Sequence, residues 1–203
     1  DSYRLAEKTI DIQSETNNEK KVIIPSKTLQ EVVRILSIVN ENELDSGVIE
    51  LYLSENQIMF SVENTEIVSR LIEGQYPDYE QIIPTKHETK IKIEKDEFIR
   101  AIKTSSIFSR IGINDINLDF PGGKNKTIIS STSSQSGENI VELESEVMGI
   151  DNGIVVNYKY LLDGINNINS QVVELEVINS NTPCILKPEN DDSYIYVVMP
   201  IKQ

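Results

Sequence analysis

The 203-residue sequence has no tryptophan, a single cysteine and a single histidine. The lone cysteine, Cys184, excludes an internal disulfide and any cysteine-rich zinc site, in keeping with a reducing compartment. On its own it reads as a small buried strand residue. The lone histidine, His87, sits in a polar linker with no second histidine or cysteine to share a metal, so it reads as a surface residue. A nucleophile and base pair would need that histidine. Basic charge is also scarce: 19 Lys and Arg against 33 Asp and Glu leave a net charge of −14. Non-specific nucleic-acid affinity rests on cations that displace counterions from phosphates, so tight DNA binding by this chain alone is not expected. Long apolar runs are missing too. No window approaches the roughly 20 residues of a membrane span, and the first residues lack a basic and then apolar leader. The expectation is a cytoplasmic protein with no membrane partner, and 38% hydrophobic residues suffice for an ordinary core.

The abundant carboxylates form no catalytic pattern. Glu142, Glu144 and Glu146 alternate as the solvent side of a strand would, and Asp191-Asp192 reads as a turn. Carboxylates doing acid and base work need a cleft that drives their pKa values apart. Gly122-Gly123 after Pro121 precedes a strand pattern rather than a helix, so it reads as a hairpin loop and not a phosphate cradle. Residues 130–136 read as a polar loop or strand edge. No enzyme activity, cofactor or metal is expected.

What the chain does contain is a repeat with a period of about 65 residues, seen three times as βαβββ. The first copy has a strand at 21–25 and a helix at 27–39 with Leu29, Val32, Val33, Leu36 and Val39 at helical spacing. Thr28 with Glu31 offers a capping box, and Ser26 is the alternative cap. Strands near 48–53, 57–62 and 66–72 follow. The second copy has a strand at 89–94, a helix at 96–108 behind an Asp96 cap, and strands near 116–120, 127–132 and 139–148. The third has a strand at 153–156, a helix from Asn157 to about Ile168, and strands near 172–178, 183–187 and 194–199. Residues 3–12 read as the last strand of a further unit. The fold class is therefore α+β. If two units make a domain, residues 1–86 are part of one domain and 87–203 a whole one.

Four stretches carry a resemblance: Asp1-Ser2-Tyr3-Arg4-Leu5-Ala6, residues 69–79 ending Gly74-Gln75-Tyr76-Pro77-Asp78-Tyr79, Asn157-Tyr158-Lys159-Tyr160-Leu161-Leu162, and Tyr196-Val197-Val198-Met199-Pro200. With these the sequence resembles the bacterial DNA polymerase III beta subunit family, the sliding clamps, from the second half of the middle domain through the third. Ser2, where glycine is usual, and Ile201-Lys202-Gln203 depart from the commonest pattern. The resemblance implies a head-to-tail homodimeric ring around duplex DNA, with helices towards the DNA and sheets outside. It also implies a non-catalytic processivity factor whose hydrophobic cleft takes short linear peptides from the replicative polymerase, the clamp loader and repair proteins. The cleft residues it implies are Tyr3, Arg4, Leu5, Pro77, Gln81, Ile82, Ile113, Asn157, Tyr160, Thr182, Cys184, Val197, Val198, Met199, Pro200 and Ile201.

On the first helix Lys27, Gln30, Arg34 and Ser37 form a polar face without a carboxylate, a pattern that usually marks a solvated face. The resemblance turns Lys27, Arg34, Arg100, Lys103 and Lys159 into candidates for sparse phosphate contact, and places Ile107 and Phe108 in the ring interface. The alternatives are a clamp-like peptide-binding adaptor that never encircles DNA and, from another class, an enzyme or small-ligand protein built on β-rich repeats.

Overall fold

The computed structural model describes residues 1–13, 19–38, 48–135 and 137–202. They fall into two compact units, residues 13–78 and residues 1–12 together with 79 onward. A first strand, β1 (Arg4–Lys8), belongs to the larger unit although it starts the chain.

The smaller unit is one repeat: helix α1 (Ser26–Ile38) against a three-stranded sheet of β2 (Glu50–Leu53), β3 (Gln57–Val62) and β4 (Thr65–Arg70) in the order β2-β3-β4. Strand β3 alternates in burial, and its Ile58 and Phe60 meet Val32 of α1 in a small core. Three expectations change here. The strand placed at 21–25 shrinks to a single bridge, Ile23 to Ile72, because no neighbouring strand offers it a ladder among the described residues. Among the described residues the Thr28 side chain makes no capping bond to the helix; its hydroxyl lies 2.7 Å from that of Ser69. Val33, placed on the apolar stripe, is 65% exposed. Val39 lies outside the described residues.

After a 3-10 turn at Glu80–Ile82 the larger unit holds two repeats. The first is β5 (Thr89–Glu94), α2 (Lys95–Ser106), β6 (Asp115–Phe120), β7 (Lys126–Ser133), β8 (Gly137–Glu144) and β9 (Glu146–Gly149). The second is β10 (Asn152–Asn157), α3 (Tyr158–Asn166), β11 (Val172–Val177), β12 (Cys184–Pro188) and β13 (Tyr194–Val198). The single strand expected at 139–148 is two. The chain leaves one sheet after Glu144 and enters the other at Glu146, with buried Ser145 bonded to Thr127 at the switch. Glu94, not Asp96, caps α2 by accepting from the Glu97 N–H at 2.7 Å.

The two repeats trade their first strands. β5 pairs antiparallel with β11 of the second repeat, and β10 pairs antiparallel with β6 of the first. The results are a six-stranded sheet, β1-β13-β12-β11-β5-β9, and a four-stranded sheet, β10-β6-β7-β8. α2 and α3 pack against each other. They bury Phe98, Ile102, Leu161 and Ile165 against Leu118, Phe120, Leu175 and Leu186 in one continuous core. Because strand side chains alternate, each sheet turns its apolar set to this core and leaves Asp115, Asn117, Asp119, Lys90, Lys92, Glu174 and Glu176 on its other face.

Candidate functional site

β1 extends the six-stranded sheet at β13, with Arg4 opposite Val198 and Leu5 opposite Val197. The ladder continues into the tail, where the Met199 N–H donates to the Tyr3 carbonyl at 2.8 Å. This register sets residues at the start of the chain beside α3. The Tyr3 ring stacks on Tyr160 with centroids 6.1 Å apart, and the Arg4 guanidinium carbon sits 4.6 Å from the Tyr160 centroid. Arg4 also bonds the carboxylates of Asp163 and Asp1, the latter at 2.9 Å from Nε. The Asp163 bond foremost holds the guanidinium above its ordinary pKa, while burial pulls the other way. Sequence reading missed Asp163. The signal was present, since it is i+3 from Tyr160 and so shares its helix face.

α3 itself is placed from below. The Tyr196 hydroxyl donates to the Tyr160 carbonyl at 2.9 Å, and its ring occupies the space a side chain at Gly164 would need, 2.3 Å from an added Cβ. Burial pushes the Tyr196 phenol up. At the other end Asn157 caps α3, accepting from the Lys159 and Tyr160 N–H groups at 2.9 and 3.4 Å, and donates from Nδ2 to the Ile113 carbonyl at 3.1 Å. One asparagine thus ties the helix start to the 107–114 loop. The tail then crosses to the four-stranded sheet, with the Ile201 N–H donating to the Val155 carbonyl at 2.8 Å.

Tyr3, Arg4, Asn157, Tyr160, Met199, Pro200 and Ile201 therefore share one edge of the larger unit, part-exposed, with Ile113 adjoining through Asn157. Leu5 is half-buried, and Gln81 and Ile82 are exposed on the 3-10 turn. Thr182 lies in a turn held by Asn179, whose side chain accepts from its N–H at 3.1 Å. Cys184, Val197 and Val198 are buried, with 0, 1 and 0% exposure, so they present no side chain to solvent. Burial also pushes the Cys184 thiol up to about 12, far from a reactive thiolate. Pro77 is exposed on the smaller unit.

The candidate phosphate-facing cations are all exposed. Arg34, however, donates from Nε and Nη2 to the two carboxylate oxygens of Glu31 at 2.9 and 2.5 Å, so the carboxylate thought absent from that face of α1 reaches it from one turn earlier. Arg100 and Lys103 stand one turn apart on α2, and the Lys159 ammonium lies 5.9 Å from the Tyr158 centroid. Ile107 is 69% exposed at the end of α2, Phe108 is half-buried, and Ser105 joins that end to Asn139 of β8 at 3.1 Å. β8 is an outer strand of its sheet and carries exposed Ile140. Among the described residues no group of His, Cys, Asp and Glu could hold a metal, and no helix is long and apolar enough to cross a membrane.

Residues 1–78 match the model of the DNA polymerase III beta subunit central domain, and residues 80–202 match that of its C-terminal domain. The chain belongs to the DNA polymerase III beta subunit family. The beta sliding clamp of Staphylococcus aureus is 36% identical over 203 residues, which is all of this chain and 52% of that relative. That of Staphylococcus epidermidis is 35% identical with the same coverage. The sliding clamp structure from Bacillus subtilis superposes with a TM-score of 0.90 at 26% identity, over 100% of this chain and 52% of the other. A Bartonella birtlesii sliding clamp solved bound to griselimycin gives the same score and identity over 53% of its chain. The chain spans about half the length of the curated relatives it matches, and its α+β repeat architecture is that of the sliding clamps.

Proposed function

We propose that this chain is the partner-docking part of a bacterial sliding clamp, a non-catalytic processivity factor that in the whole protein encircles duplex DNA as a homodimeric ring. In this reading residues 1–86 belong to the middle domain and 87–203 to the third, with β1 lent to the third domain's sheet. The observation that carries the reading is the convergence of Tyr3, Arg4, Asn157, Tyr160 and the Met199–Ile201 tail on one edge, reached from three distant parts of the chain. Such an edge suits a short apolar peptide. Methionine and isoleucine adapt to several anchors, while Arg4 and the Asn157 cap fix a peptide's direction. The polymerase, clamp loader and repair proteins are the partners it would tether.

Lys27, Arg34, Arg100, Lys103 and Lys159 supply sparse phosphate contacts, and few contacts suit a ring held by topology. Ile107 and Phe108, beside the unpaired edge of β8, form part of the ring contact, since an open sheet edge is a template for another strand. The isolated chain binds duplex DNA no tighter than the roughly 10⁻⁴ to 10⁻⁶ M non-specific range.

Fluorescence anisotropy with a Gln-Leu-x-Leu-Phe peptide tests the central part. Met199→Asp places an unpaired carboxylate in an apolar site, at a cost of about 1–3 kcal/mol, or roughly five- to two-hundred-fold in affinity. Thermal unfolding of the variant is measured alongside. Equal affinity in a well-folded Met199→Asp chain rejects the groove.

A further inference from the structure

The outer face of the four-stranded sheet begins where the tail ends. A groove of about 600 Å³ runs from Ile201 and Lys202 over Val155 to Asn117, Ser130 and Thr132. Its order follows from register: the Ile201 N–H bonds the Val155 carbonyl, Val155 lies opposite Asn117, and Asn117 lies opposite Ser130. Val155 faces outward yet is 8% exposed. The groove is thus continuous with the edge proposed for peptide binding, and two strand spacings of about 4.8 Å separate the tail from Asn117, with Ser130 one spacing further.

The charged residues of its lining are Arg110, Asp115 and, at the tail end, Lys202. Arg110 and Asp115 neutralise each other, with Nε 2.8 Å from Oδ2. Four residues along β6 on the same face, just beyond the groove's lining at Asn117, Asp119 accepts from the Asn117 amide at 2.6 Å and has no Lys or Arg within ion-pair distance among the described residues. Glycine at 153 leaves room for that carboxylate, since a Cβ there would lie 2.9 Å from Oδ1. Burial pushes the Asp119 carboxyl up, the response of an anion short of a compensating cation.

We propose that this groove is an extension of the peptide site that reads the residues flanking the apolar anchors, with Asp119 selecting a lysine or arginine about three residues outside them. The proposal rests on the peptide-docking reading. Three extended residues cover the roughly 10 Å from the tail to Asn117, and the long side chain of a lysine or arginine spans the two further residues along β6 to Asp119. The acidic total of the chain also favours a basic flank at long range.

Anisotropy titrations at low salt test it, using peptides that share Leu-x-Leu-Phe and carry a single lysine, or alanine in its place, three residues beyond either end. With one end of the peptide, the lysine form binds the wild-type chain about two- to five-fold tighter, as one part-exposed ion pair allows. That preference disappears in Asp119→Asn, which keeps the Asn117 bond, while the alanine form binds both chains equally and so reports a folded site. Equal binding of lysine and alanine forms to the wild-type chain, or a preference that survives in Asp119→Asn, overturns the extension and leaves the anchor site standing. Failure of every anchor peptide to bind overturns both.

Discussion

A lone repeat in residues 13–78 and an interlocked pair after residue 79 are built from the same elements, yet they bury their apolar side chains very differently. α1 buries Val32 alone and leaves Val33 65% and Leu29 43% exposed, whereas α2 buries Phe98, Ala101 and Ile102. β2 is exposed at every position, while β6 alternates cleanly between half-buried and buried. The cause lies in strand exchange. β5 and β10 each complete the other repeat's sheet, and α2 and α3 cover each other, so each repeat closes the core of its neighbour. In the smaller unit the corresponding segment, residues 21–25, makes one bridge. A repeat of this design cannot bury its face alone. The edge proposed for docking stands on the interlocked pair, which holds it in shape.

The largest expected break in this comparison is Phe98→Ala. Phe98 is fully buried where α2 meets the shared core, and its truncation costs about 3–5 kcal/mol in chemical unfolding of the larger unit. Gly164→Ala comes next, at about 1–3 kcal/mol or more, because the Tyr196 ring must move to admit a methyl group. Peptide affinity falls with it, since Tyr196 positions Tyr160.

Lowering the pH sharpens the contrast by a smaller amount. Burial alone would raise the Asp115 carboxyl, but its bonds to Arg110 outweigh that and hold it below the usual 3.8. A carboxyl depressed in the folded state contributes stability above its unfolded value and loses that contribution as the pH falls through the folded one. The acid limb of the larger unit's stability therefore flattens in Asp115→Asn when unfolding is followed below pH 4. The smallest effect is Val33→Ala on the lone repeat, within about 0.5 kcal/mol, as for most exposed positions.

Much of this was legible in the sequence because alternation and helical spacing survive in single copies. Strands 57–62 and 89–94 were bounded as observed, and the repeat announced the architecture. What periodicity cannot carry is which sheet a strand joins. The exchange of β5 and β10, and the break at Ser145, arise from long-range pairing. The site was less legible for the same reason. Resemblance supplied Tyr3, Arg4, Asn157 and Tyr160, but Asp163 and Tyr196, which hold Arg4 and Tyr160 in place, follow only from the packing of β1 and β13 beside α3. Strand pattern alone also could not tell that Val197 and Val198 are both buried, on opposite faces of one strand.

Amide hydrogen exchange on the whole chain, with and without a saturating Gln-Leu-x-Leu-Phe peptide, tests the central claim most directly. The account predicts that added protection gathers at residues 3–6, 157–162 and 197–202, with residues 20–72 unchanged. Protection that appears in residues 20–72 and spares the tail and the start of α3 would contradict it.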